Sequence, residues 1–313
     1  MTAAATTLAV SPDFLTGMEW GAGHVREVYH LAADLKAHPD RYRGALGGRF
    51  LAMIFEKPSL RTRVTFEVGI SSLGGSAIFL DHTGSKLGQR EAIRDVAKNL
   101  ERFVHGIVAR TFTQAALDEL AENACIPVVN ALSDRFHPCQ AIADFFTLEE
   151  RFGNLRGLKV AYVGDGNNVC NSLITFAART GAHLRVASPE GHQPDSAVIA
   201  EARRAGRETR AKVEVMLSAE EAVCGAQAVY TDVWTSMGQE QEAQERESLF
   251  APYQVNEKLM ALAAPDAAFM HCLPAHRGLE VTNEVIDSVQ SIVLDQSENR
   301  LHVQKAILLT LLA

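Results

Sequence analysis

The sequence predicts an α/β protein of two domains, each a parallel sheet flanked by helices. Three observations predict it. Short apolar runs alternate with longer amphipathic stretches, which is the pattern of strand–helix–strand units with parallel strands. The alternation starts twice, near residue 49 and again near residue 158. The 313 residues are about twice a typical domain.

In the first unit, 49–56 (RFLAMIFE) reads as a buried strand and 64–75 as a helix closed by glycines. Residues 75–81 read as a strand, 90–104 as an amphipathic helix, 106–111 as a strand, 115–124 as a helix and 127–132 as a strand. A helix over 137–153 follows and suits a bridge between the units. In the second unit, 158–165, 183–189, 212–217, 226–234, 267–274 and 291–296 read as strands. Helices are expected over 167–181, 197–208, 218–225 and 299–313. The charged stretch SMGQEQEAQERESLFAPY (236–253) reads as a long exposed loop beside a site. No internal repeat or low-complexity tract is present.

Composition narrows the function. The 47% hydrophobic and 22% charged residues are ordinary for a globular protein. A net charge of −8 argues against a nucleic-acid partner, so any anion site must be a local basic pocket. Five cysteines without a C-x-x-C pair argue against a disulfide framework or structural zinc, and for a reducing compartment. The opening MTAAATTLAV reads as neither a signal nor a transit peptide. No apolar run approaches the roughly 18 residues that span a bilayer. A cytoplasmic protein without a membrane partner is expected.

Strand ends are where open α/β sheets bind ligands, and here they carry the chemistry. Ser59-Leu60-Arg61-Thr62-Arg63 lies between a strand and a helix. Two hydroxyls, two guanidiniums and the amides of a helix start make an anion site; Ser59 alone reads equally well as an N-cap. Arg110 ends a strand, and His137-Pro138-Cys139-Gln140 opens the bridging helix. Gly164-Asp165-Gly166-Asn167-Asn168 opens a helix as a dinucleotide fold does, but Val169 stands where the third glycine belongs. The paired asparagines could instead hold a small zwitterion. Asp232 could pair with an ammonium or make an Asx turn. Cys125, Cys170 and Cys224 read as small buried hydrophobes, whereas Cys272 sits in His271-Cys272-Leu273-Pro274 at a strand end. Arg300 precedes or opens the last helix.

These residues together resemble the aspartate/ornithine carbamoyltransferase family, and its ornithine branch in particular. The motifs S-x-R-T-R, H-P-x-Q, D-x-x-x-S-M-G and H-C-L-P occur in that order, from about residue 10 to the C-terminus. The last two mark the ornithine branch. The resemblance implies a carbamoyl-phosphate domain (1–148) and an ornithine domain (149–313), with the last helix (about 299–313) packing back on the first. It implies transfer of a carbamoyl group from carbamoyl phosphate to L-ornithine, giving citrulline and phosphate in arginine biosynthesis, with no cofactor and no metal. Ser59, Leu60, Arg61, Thr62 and Arg110 would hold the phosphate. His137, Gln140 and Arg300 would contact the carbamoyl end, with the Leu273 carbonyl taking its amide. Asn168, Asp232, Ser236 and Met237 would bind ornithine's α-groups, and Cys272 would lie by the attacking amine, at the other end of the ligand from Asp232. Arg61, Arg110, His137 and Cys272 are the expected catalytic set.

The resemblance also implies a homo-oligomer, a trimer or a multiple of trimers, with Lys86 reaching into a neighbouring site. Two positions depart from the pattern. Leu60 stands where many members have threonine, and Lys86 where ornithine enzymes often carry glutamine. Competing readings are a carbamoyltransferase for putrescine or an N-acylated ornithine, an NAD-dependent oxidoreductase, and a catalytically inert homologue.

Overall fold

The structure, a computed structural model, describes residues 13–235 and 243–313. The first sheet contains β1 (Phe50–Phe55), β2 (Ser76–Asp81), β3 (Gly106–Arg110) and β4 (Val128–Leu132), all parallel, in the order β2-β1-β3-β4. Helices α1 (Ala22–Ala37), α2 (Leu60–Ser72), α3 (Ile93–Leu100) and α4 (Gln114–Asn123) belong to this half. The inner strands β1 and β3 are apolar and buried almost throughout, as strands covered on both faces must be.

Helix α5 (Pro138–Phe152) leads to the second half. Its sheet contains β5 (Lys159–Val163), β6 (His183–Ala187), β7 (Lys212–Met216), β8 (Ala228–Thr231) and β9 (Ala268–His271), all parallel, in the order β7-β6-β5-β8-β9. Helices α6 (Asn168–Thr180), α7 (Ser196–Thr209), α8 (Ala219–Val223), α9 (Ala243–Phe250), α10 (Glu257–Met260) and α11 (Asn283–Ile286) accompany it. Helix α12 (Val293–Leu312) then returns to pack against α1, α2 and α5. One apolar core runs from α1 and β1 through α5 and α6 to α12.

Strand order locates the site. In the first sheet the connections from β1 diverge, β2 to one side and β3 to the other. In the second they diverge from β5, with β6 on one side and β8 on the other. Such switch points open a crevice at the carboxyl ends of the strands.

Four expectations need correction. Residues 291–296 do not form a strand: Ser291 makes one isolated bridge to Phe269, and Val293 begins α12. The buried face of α12 opens with Val293, Gln296, Asn299 and Arg300. That is helical spacing, but three of these four residues are polar, which hides the period from a reading of hydrophobicity. Of the charged stretch 236–253, residues 243–250 form α9, with Arg246 and Phe250 buried; residues 236–242 lie outside the described residues. Helix α1 was not expected, although Val25, Val28, Tyr29, Ala32 and Leu35 make a regular buried stripe. The expected helix 90–104 shortens to Ile93–Leu100.

Candidate active site

After β1 the chain turns at Ser59, whose extended backbone (φ −159°, ψ 113°) makes it the N-cap of α2. Its hydroxyl accepts from the Thr62 N–H at 3.4 Å and donates to Thr62 Oγ1 at 2.9 Å. Arg300 Nη2 donates to the same Thr62 oxygen at 2.9 Å, across 238 residues of sequence. The capping residues and α12 are thus joined in one contact. Glu56, buried at the end of β1, accepts from the Phe112 N–H at 2.5 Å and from the Leu87 N–H. It ties the 85–88 loop to the end of β3.

Ser59, Thr62 and Arg300 line a cavity of about 510 Å³. Ser59, Leu60, Arg61, Thr62, Arg110, His137, Gln140, Asn168, Asp232, Cys272, Leu273 and Arg300, all expected site residues, lie on its walls. Lys57, Thr235 and His276, which were not expected there, also line it. Leu60 is 75% exposed at the rim.

One wall is cationic. Burial, then the charges of Arg300 and Arg61, push the Arg110 guanidinium down to about 9. Burial also lowers Arg300, with Arg61 acting in the same direction. The Nε atoms of Arg110 and Arg300 are buried without a hydrogen-bond partner among the described residues. Burial and these two arginines hold His137 well below the ordinary histidine range. His137 is therefore a neutral imidazole at pH 7, a hydrogen-bonding group and not a cation. Its backbone N–H donates to Ser172 Oγ at 2.7 Å.

The same lining also carries an acidic and sulfur-bearing pair. The Cys272 thiol donates to Asp232 Oδ1 at 2.9 Å, and Asn167 Nδ2 donates to Asp232 Oδ2 at 2.8 Å. Burial, then the Asp232 carboxylate, push the Cys272 thiol well up, so it stays a thiol at neutral pH. The expectation of Asp232 and Cys272 at opposite ends of a ligand needs correction. Strands β8 and β9 are adjacent and parallel, so residues one step past their ends are neighbours. His271 places a nitrogen within 4.8 Å of ligand atoms of Asp232 and Cys272. Its Nδ1 accepts from the Leu273 N–H at 2.8 Å and its Nε2 lies 3.3 Å from Glu280 Oε1, so both nitrogens already face protein groups.

A profile of the carbamoyl-P binding domain of aspartate/ornithine carbamoyltransferases matches residues 12–150, and one of the Asp/Orn binding domain matches residues 156–311. The chain belongs to the aspartate/ornithine carbamoyltransferase family. It is 52% identical to an ornithine carbamoyltransferase of Symbiobacterium thermophilum, over 96% of this chain and 98% of that one. It superposes on an ornithine carbamoyltransferase from Pyrococcus furiosus with a TM-score of 0.93 and 46% identity, covering 96% of each chain. An N-acetyl-L-ornithine transcarbamylase mutant superposes with a TM-score of 0.87 at 30% identity, over 96% of this chain and 99% of that one.

Within this family member, Ser236 and Met237 lie outside the described residues. Lys86 is exposed and does not line the cavity of its own chain; its Nζ lies 5.7 Å from the centroid of the Phe112 ring. Sequence reasoning missed Asn167, which holds Asp232 while its Oδ1 caps α6 through the Val169 and Cys170 N–H groups. The paired asparagines were the available signal, but only Asn168 was selected from them. Asn168 Nδ2 donates to the Ser133 carbonyl at 2.6 Å. Arg246 was also missed. It pairs with Asp165 at 2.5 Å and donates to the Trp234 carbonyl at 2.6 Å, anchoring α9 beside the end of β5.

Proposed function

We propose that this chain transfers the carbamoyl group of carbamoyl phosphate to the δ-amine of L-ornithine, giving citrulline and inorganic phosphate. One observation carries the reading: a single cavity brings Arg61, Arg110 and Arg300 together with the Asp232–Cys272 pair. An anionic donor suits the arginines and an amine-bearing acceptor the Asp232–Cys272 pair.

In this reading Ser59, Arg61, Thr62 and Arg110 hold the phosphate, with backbone at Leu60. His137, Gln140 and Arg300 meet the carbamoyl group, and the Leu273 carbonyl takes its amide. Asn168, Ser236 and Met237 hold the ornithine α-groups, and Asp232, bonded to the Cys272 thiol, serves the amine end beside it. The neutral δ-amine attacks the carbamoyl carbon, a tetrahedral intermediate forms, and the C–O bond to phosphate breaks. Arg61, Thr62 and the neutral His137 stabilise charge on the carbonyl oxygen, and Arg61 with Arg110 stabilises the leaving phosphate. An alkylamine is mostly protonated at pH 7, with a reference pKa near 10.4. The converging arginines favour its neutral form. The attacking nitrogen loses its proton to Cys272 Sγ as the thiol passes its own to Asp232.

Residues 1–148 form the carbamoyl-phosphate domain and 149–313 the ornithine domain in this reading, with α12 returning to the first. The protein works in the cytoplasm as a homotrimer or a multiple of trimers, with Lys86 entering the neighbouring subunit's site. Three features support the assembly. Leu60, Val64 and Val68 form an exposed apolar stripe on α2, Ile78 is exposed on the edge strand β2, and the Lys86 loop lies nearby. Among the described residues no helix is long and apolar enough to cross a membrane.

The test is citrulline formation from carbamoyl phosphate, with ornithine, putrescine, N-acetylornithine and aspartate compared as acceptors. Ornithine should be the preferred substrate by kcat/KM. Equal or better turnover of putrescine or N-acetylornithine would overturn the assignment.

A further inference from the structure

Asp144 is a fully buried acid that stands behind the cavity and takes no part in the chemistry described above. It follows Gln140 by one turn of α5. Its Oδ1 accepts from Gln140 Nε2 and from Gln296 Nε2, each at 2.7 Å, and its Oδ2 accepts from the Tyr230 hydroxyl at 3.0 Å. Each donor adjoins a residue of the cavity wall. Tyr230 precedes Asp232 by two residues on β8, and Gln296 precedes Arg300 by one turn of α12. Gln296 Oε1 also accepts from the His271 N–H at 3.0 Å, next to Cys272.

A glutamine amide has a donor end and an acceptor end of nearly equal shape. Which end meets a ligand depends on what holds the other. Asp144 Oδ1 already accepts from Gln296 Nε2, whose own Oε1 is taken by the His271 N–H, so this oxygen is an acceptor and takes the NH2 of Gln140. The end left over is Oε1, which is buried without a partner among the described residues on a side chain that lines the cavity. An acceptor there matches a ligand N–H. We propose that Asp144 is a positioning residue: it fixes Gln140 as a hydrogen-bond acceptor, so that the site selects a donor bearing a carbamoyl NH2 over an acyl phosphate bearing a methyl group. The inference rests on the proposed reaction and adds to it the origin of donor specificity.

The experiment compares calorimetric affinities for carbamoyl phosphate, acetyl phosphate and inorganic phosphate in full-length protein. Gln140→Ala should lower the carbamoyl-to-acetyl affinity ratio by about tenfold or more, the scale of one lost hydrogen bond in a buried site. Asp144→Leu should lower it about as far. Asp144→Asn, which keeps the shape and folds most readily, should lower it by less because an amide still offers one acceptor. Inorganic phosphate should bind all three variants within about twofold of wild type. Adding Asp144→Asn to Gln140→Ala should cost nothing further in the ratio, since the partner it acts through is gone. An unchanged ratio in Asp144→Asn overturns the proposal. So does a parallel loss of phosphate affinity, which marks a merely structural role, or a double variant whose losses multiply. Failure of the wild type to bind carbamoyl phosphate would instead overturn the reaction itself.

Discussion

Arg110 carries a charge into a wall where burial, Arg300 and Arg61 lower its pKa to about 9. A base whose pKa is depressed by folding stays protonated at pH 7, and the ligand-free fold bears the cost. That cost is present in full below about pH 9 and is relieved as pH rises toward the ordinary arginine value. On the proposed role of Arg110, a bound phosphate reverses the preference. Arg110→Met should therefore stabilise the ligand-free protein by about 1–3 kcal/mol, seen as a higher melting temperature. It should also abolish the rise in melting temperature that inorganic phosphate gives the wild type. In the wild type, phosphate affinity should fall as pH rises through about 9, because binding must then take up a proton. A variant that melts lower than wild type yet still responds to phosphate would refute this account. Cys272 makes a second residue-scale prediction. Burial and Asp232 keep it a thiol, whereas Cys125 and Cys224, expected with Cys170 to be buried, are exposed. Iodoacetamide at pH 8 should alkylate those two well before Cys272, as read by peptide mass spectrometry. Preferential labelling of Cys272 would mean that it is a thiolate.

At the scale of elements, α12 has two separable duties. Its first half brings Gln296, Asn299 and Arg300 inward, and its second half buries Val303, Ala306, Ile307, Leu308 and Leu312. Asn299 also joins α1 and α5: its Oδ1 accepts from Lys36 Nζ at 2.9 Å and its Nδ2 donates to Glu150 Oε2 at 2.6 Å. Ile307 has no solvent exposure and lies in the main core. Ile307→Ala should cost about 2–5 kcal/mol in unfolding free energy by denaturant titration. Its kcat and KM at 25 °C should remain close to wild type while the protein is folded. A large kinetic effect at unchanged stability would show that the two halves of the helix are not independent.

At the scale of the whole molecule, the exposed apolar residues Leu60, Val64, Val68 and Ile78 include the first residue after the Ser59 cap. If these residues join subunits, Val64→Glu with Val68→Glu should shift the mass measured by light scattering toward the monomer. Activity should fall with the mass if, as proposed, Lys86 enters the neighbouring subunit's site. A doubly substituted protein that stays trimeric and active would place the interface elsewhere.

The fold class and most residues of the candidate site's cavity were legible in the sequence, for a common reason. Parallel strands buried on both faces read as continuous apolar runs, and the residues just past them must sit at a sheet's carboxyl edge. Ser59, Arg61, Arg110, His137, Asn168, Asp232 and Cys272 could thus be selected without coordinates, and all of them line one cavity. What lay beyond the sequence depends on contacts between distant segments. The Arg300–Thr62 bond closes 238 residues of chain, and the buried polar face of α12 looks like a solvent face until α1, α2 and α5 are packed against it. Asp232 and Cys272 touch only because β9 lies beside β8. Asn167 and Asp144 likewise acquire their partners through sheet order and helix packing. Local pattern determines which residues reach the strand ends, because side-chain period and burial are properties of neighbours in sequence. Tertiary structure decides which of them meet, because strand order and helix packing set distances that sequence separation does not encode.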